Sequence, residues 1–117
     1  MGRLIYGATA VVFHFDDRTL AHLQLVVGAK LRRREGFYCS WRDDVDTGGG
    51  RSSLWLDAAI PLYFIFESSN RVSVNRTWLE ELTRSANTAT GLVLSPEPAE
   101  DGSGSVRSSA AAGGAFN

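Results

Sequence analysis

Along residues 3–15 apolar and polar side chains alternate. Val11, Phe13 and Phe15 share one side, with Val12 and His14 on the other, the period-two pattern of a half-buried strand. The preceding "LIYG" supplies a partner strand that turns at Gly7. From Arg18 the period changes. Leu20, Leu23, Val27 and Leu31 recur at helical spacing to about Arg34 and make one apolar stripe. Asp16 and Asp17 stand where a helix N-cap belongs, and Gly36 supplies the C-terminal stop.

"FYCSW" returns to strand periodicity, with Phe37, Cys39 and Trp41 on one face. A polar, glycine-rich connection, "RDDVDTGGGRSS", follows it. "SLWL" and "LYFIFE" read as two further strands around "DAAIP". Leu62, Phe64 and Phe66 share one face of the second while Tyr63 and Ile65 cover the other, which predicts a central strand. Asn75 caps a second helix, about Arg76 to Asn87, striped by Trp78, Leu79, Leu82 and Ala86. Gly91 then leads into "LVL", a short last strand. The order predicts an α+β domain over residues 1–95: a small, mainly antiparallel sheet with two helices on one face. Residues 96–117 change to Pro, Gly, Ser and Ala, which bury too little to offset their ordering entropy, and read as a disordered tail.

Composition narrows the picture without deciding function. The 117 residues suffice for one domain with a core, and 44% apolar and 21% charged residues are ordinary globular values. Residues 1–95 carry eleven basic against ten acidic side chains, a net +1, and the tail carries −2. Neither field is strong enough to select nucleic acid or membrane as a partner. No stretch approaches the ~18 apolar residues of a membrane span, and the N-terminus lacks the pattern of a secretory signal. Cys39 stands alone, so no internal disulfide forms. These features predict a soluble, cytoplasmic protein without membrane association.

One stretch stands out: "VGAKLRRREGF", residues 27–37, holds the single lysine and three consecutive arginines. Successive helical residues point about 100° apart, so Arg32, Arg33 and Arg34 splay in three directions. Lys30, Arg33 and Arg34 cluster. Two accounts compete for them. Cations in a last helical turn complement the helix dipole, contributing roughly 0.3–1 kcal/mol each at an exposed site. Alternatively Lys30, Arg32, Arg33 and Arg34 grip phosphates, with Arg42 and Arg51 folded alongside and Trp41 and Trp55 offering rings for base stacking.

At this point a resemblance enters. "MGRLIYG", "DDRTLAHLQLVVGAKLRR", "SWRDD", "GGGRSSLWLDAAIPLYF" and "NRTWLEELTRSANTATGLVLSPEPAED" resemble a family of small proteins from high-GC Gram-positive bacteria, over roughly residues 1–101. Its members often carry the automatic label "ATP-dependent DNA ligase". The resemblance implies a part in DNA end joining. Adenylation by such a ligase uses a lysine in K-x-D-G, whereas Lys30 stands in "KLRR", without the aspartate or the glycine.

Other chemistry is sparse. Asp43, Asp44 and Asp46 resemble the opening of a calcium loop, but the glycine and glutamate that complete one are out of register. "GGGRSS" lacks the G-K-[ST] ending of a P-loop. His14 is placed on the polar face of its strand and His22 away from the helical stripe. Cys39, between Phe37 and Trp41, reads as a buried small hydrophobe. No catalytic set emerges, and nothing implies a cofactor or a metal. Leu25 and Trp55 fall outside the main stripes and suit contact with a second copy. The sequence thus predicts a non-catalytic binding module for nucleic acid, with weak affinity. End joining and a protein-only homodimeric adaptor are the alternatives.

Overall fold

The computed structural model describes residues 1–43 and 48–100. The first alternating stretch forms a hairpin, strand β1 (Gly2–Tyr6) against strand β2 (Val11–Phe15). Its reversal needs two left-handed residues, Gly7 at φ 79° and Ala10 at φ 57°, and the Ala10 N–H closes it on the Gly7 carbonyl at 3.1 Å. Asp16 caps helix α1 (Asp17–Arg32) as its side chain accepts the Thr19 N–H at 2.7 Å. Asp17 does a different job. Its carboxylate accepts the backbone N–H groups of Glu67 and Ser68, at 3.0 and 2.9 Å, pinning that later segment to the helix start.

The stop of α1 differs from expectation. It is Arg34, not Gly36, that takes the left-handed conformation, at φ 59°, while the Glu35 N–H returns to the Lys30 carbonyl at 3.1 Å. Gly36 is small for another reason: a Cβ there would lie 2.6 Å from Cζ2 of Trp55.

Strands β3 (Phe37–Arg42), β4 (Arg51–Leu56), β5 (Leu62–Ile65) and β6 (Leu92–Val93), with helix α2 (Arg76–Ala86), complete the order. The fold class is α+β, as the patterns predict. The strands divide between two three-stranded sheets, β2–β1–β5 and β4–β3–β6. All pairings are antiparallel except β3 with β6. The division arises at residues 57–61. There the Ile60 N–H turns back to the Asp57 carbonyl, and the Pro61 carbonyl accepts the Gly7 N–H, which delivers β5 to β1 instead of back along β4.

β5 is consequently an edge strand, not the central one expected; β1 is the centre of that sheet. Apolar residues on both sides of β5 misled because Tyr63 is simply left exposed. The sheets meet through aromatic rings. Trp41 of β3 takes Phe13 and Phe15 of β2 edge-on, at centroid distances of 5.2 and 5.3 Å. The Tyr6 hydroxyl also donates to the Trp55 carbonyl, tying β1 to β4.

Helix α1 packs on β1, α2 on β6 and β3, and the helices pack on each other. Contacts at both ends show that they run in the same direction: His22 meets Asn75 near their starts, and Lys30 meets Asn87 at their ends. His22 is not on the polar side of α1, as its place outside the stripe suggests. It is fully buried, and its ring lies 4.6 Å from that of Trp78. The stripe is wider than its leucines and valines because α2 covers a second side of α1.

The chain after β6 is also tied down beyond the expected boundary at residue 95. The Ser95 carbonyl accepts Trp78 Nε1–H at 3.1 Å. Glu97 binds Arg18 at 2.7 Å, and Asn75 Nδ2 donates to Glu97 and to the Pro98 carbonyl, at 2.9 and 2.8 Å. These few residues reach partners on both helices, which composition alone does not reveal. Residues 101–117, the rest of the predicted tail, lie outside the described ones. Among the described residues no helix is long and apolar enough to cross a membrane.

Candidate functional site

Strand alternation sorts the β4–β3–β6 sheet into two unlike faces. Phe37, Cys39, Trp41, Leu54, Leu56 and Leu92 belong to the inner one, packed in or against the core. The outward positions are Tyr38, Ser40 and Arg42 on β3, Arg51, Ser53 and Trp55 on β4, and Val93 on β6. Register sets them in rows. Tyr38 stands beside Trp55, Ser40 beside Ser53, and Arg42 beside Arg51.

Each row has its own chemistry. The rings of Tyr38 and Trp55 meet edge to face, with centroids 5.2 Å apart and planes at 67°, and remain 50% and 43% exposed. Ser40 Oγ donates to Ser53 Oγ at 2.9 Å, filling the middle of the face. Arg42 and Arg51 are like charges directly opposite one another, an arrangement that destabilises a strand pair unless an anion relieves it. Neither makes an ion pair among the described residues, and no outward position of this sheet carries a carboxylate.

The structure therefore divides the predicted basic and aromatic residues. Lys30 has a structural place. Its side chain is 12% exposed, and Nζ reaches Glu35 Oε1 at 2.9 Å and Asn87 Oδ1 at 3.0 Å. It thus sits where α1 and α2 both end, a favourable position for a cation beside two helix C-termini. Arg33 is engaged by Glu35 at 3.3 Å, and Lys30 and then Arg33 draw the Glu35 carboxyl below its ordinary range. Arg32 and Arg34 are exposed, without an ion pair among the described residues.

Trp41, expected to offer a stacking ring, is 9% exposed and faces the core between Phe13 and Phe15. Trp55 is on the outer face, as a stacking role requires. Its neighbour there is Tyr38, which the sequence reading passed over. The signal was present: the alternation that turns Phe37, Cys39 and Trp41 inward turns Tyr38 outward.

Beside the aromatic pair lies a cavity of about 220 Å³, lined by Lys30, Gly36, Tyr38, Trp55 and the 86–91 segment. Gly91 closes its edge at φ 86°, where any Cβ would collide with the backbone of Tyr38. Elsewhere reactive groups are quiet. Burial pushes the Cys39 thiol up to about 12. Asp43 accepts the Ser52 hydroxyl at 3.0 Å, while Asp44 and Asp46, the rest of the candidate calcium loop, lie outside the described residues. His14 is exposed on its strand, as expected.

Comparison adds a family. No curated protein and no solved structure matches the chain. A family model described as "Domain of unknown function (DUF7882)" matches residues 1–97, a span that takes in both sheets, both helices and Glu97. The chain belongs to that family of domains, DUF7882.

Proposed function

We propose that this domain is a non-catalytic binding module whose ligand is nucleic acid, held on the outer face of the β4–β3–β6 sheet. The observation that carries the reading is the Arg42–Arg51 row: two facing cations with, among the described residues, no carboxylate on that face. A phosphate would relieve their repulsion, which no other described residue of the face does. Arg32 and Arg34, exposed at the end of α1, add two further cations without an ion pair among the described residues. Lys30 and Arg33 contribute less, because Glu35 already engages them.

The reading is non-catalytic for a reason of contacts. A nucleophilic lysine must be neutral and within reach of its substrate. Lys30 is paired with Glu35 and largely covered. A part in end joining, which the resemblance implies, would then be to hold a strand beside an enzyme.

Titration with a labelled oligonucleotide at two salt concentrations tests the reading, with wild type beside the double variant Arg42→Gln/Arg51→Gln. Wild-type binding is expected in the ~10⁻⁴–10⁻⁶ M range of non-specific contacts, since the charge surplus is small. The double variant should bind more weakly and with a flatter salt dependence, by about 0.7–0.9 in slope per phosphate lost. No wild-type binding, or an unchanged slope in the variant, overturns it.

A homodimeric adaptor is the second reading. It draws support from Val12, Ile5 and Tyr63, which lie side by side across the outer face of the β2–β1–β5 sheet, Val12 and Tyr63 being exposed. Sedimentation of wild type and of Tyr63→Lys measures it directly.

A further inference from the structure

We infer that the outer face of the β4–β3–β6 sheet takes an unpaired strand, with a base at its Tyr38–Trp55 end and phosphates at its Arg42–Arg51 end. This inference rests on the nucleic-acid reading and adds which form of nucleic acid is bound and which way the site is divided.

Tyr38 and Trp55 form an aromatic row at one end of the face. The two large rings, packed edge to face on each other, remain half exposed on the outer face of the sheet. Every base has a complementary π-face, but in a duplex that face is already stacked on its neighbours. Only an unpaired or terminal base reaches Trp55. A site made of phosphate contacts alone would not need the rings.

A cavity adjoins the two rings. At about 220 Å³ it is smaller than the ~300–1,000 Å³ typical of sites for whole small molecules, so it suits a single ring system. Its lining offers phosphate no free cation. The cation within it, Lys30, already binds Glu35 and Asn87, and the C-terminal ends of α1 and α2, which carry negative partial charge, both abut it. The one cation in the lining is thus already engaged, and the rings of Tyr38 and Trp55 remain for a neutral base.

Arg42 and Arg51 mark the opposite end of the same strands. Arg42 lies four residues along β3 from Tyr38, about 13 Å at ~3.3 Å per residue. Between them stands the small polar Ser40–Ser53 pair, Ser53 exposed and Ser40 buried. Cations stand where the backbone must go, and aromatic rings stand where the base must go.

The experiment compares a short single-stranded oligonucleotide with the duplex made from it, binding to wild type, Trp55→Ala, Tyr38→Ala and the Arg42→Gln/Arg51→Gln double variant. Wild type should prefer the single strand by about tenfold or more. Each aromatic variant should lose about five- to 150-fold for the single strand, the equivalent of one base–aromatic stack, and little for the duplex. Of the three tryptophans Trp41 and Trp78 are buried, so quenching of wild-type fluorescence at saturation reads Trp55 without any substitution. Equal affinity for both forms, lost in the arginine variant but untouched in Trp55→Ala, overturns the inference and leaves the nucleic-acid reading standing. Saturable single-strand binding without quenching does the same. Absence of binding to either form removes both.

Discussion

Nε2 of His22 accepts the backbone N–H of Asn75 at 2.9 Å, across 53 residues of chain. Because the donor is an amide, the proton of the imidazole must sit on Nδ1, where it donates to the Arg18 carbonyl at 2.8 Å. Both nitrogens of a fully buried ring are thus satisfied. Asn75 in turn caps α2 by accepting the Trp78 N–H at 3.1 Å, so the histidine holds the residue that starts the second helix.

His22→Ala is expected to lower stability by at least about 2 kcal/mol, because it strands the buried Asn75 N–H and removes the ring beside Trp78. Chemical denaturation measures it. A loss below about 1 kcal/mol would contradict the place given to this bond.

Glu97 makes stability depend on acid. The Arg18 guanidinium, and then the Asn75 amide, hold its carboxyl down at about 2, against 4.5 for an unperturbed glutamate. The folded value lies below the unfolded one, so the contribution is full above about pH 4.5 and fades as pH falls towards 2. Glu97→Gln should make stability less steep in that window, measured as denaturation midpoints across the pH series. An identical pH profile in the variant would show that the Arg18–Glu97 pair adds nothing to the fold.

Lys30 and the arginines beside it should separate cleanly. Lys30→Gln is expected to cost about 1–2 kcal/mol, as befits a partly buried cation at helix C-termini. Arg32→Gln should stay within about 0.5 kcal/mol, like most surface changes. Equal losses in the two variants would mean that Lys30 has no special place.

Arg34→Gly is expected to raise stability by up to about 1 kcal/mol, since a side chain in the left-handed region is strained and glycine is not. Gly36→Ala should do the reverse, because the added methyl meets the Trp55 ring. Thermal unfolding of the pair decides which residue ends the helix.

Cys39 should resist thiol reagents at pH 8 in the folded protein and react after denaturation, because burial holds its thiol up at about 12. Rapid labelling of the native protein would place β3 nearer the surface than its inner row allows.

Sequence alone determined what is local. A period of two or of 3.6 is read within a few residues, so every strand and both helices were legible, as were the caps at Asp16 and Asn75 and the burial of Cys39. The α+β class followed from their order. Tertiary structure decided whatever depends on partners distant in the chain. The turn at Asp57–Pro61 sent β5 to β1, which made two sheets from one expected sheet and an edge from an expected centre. The packing of α2 on α1 buried His22, and Glu35 with Asn87 took Lys30 out of the basic cluster. The pairing of β3 with β4 aligned Tyr38 with Trp55 and Arg42 with Arg51. Periodicity states which face of an element is apolar, but not which element covers it. The candidate site lies on a face defined by that pairing, which is why the sequence named most of its residues without assembling them.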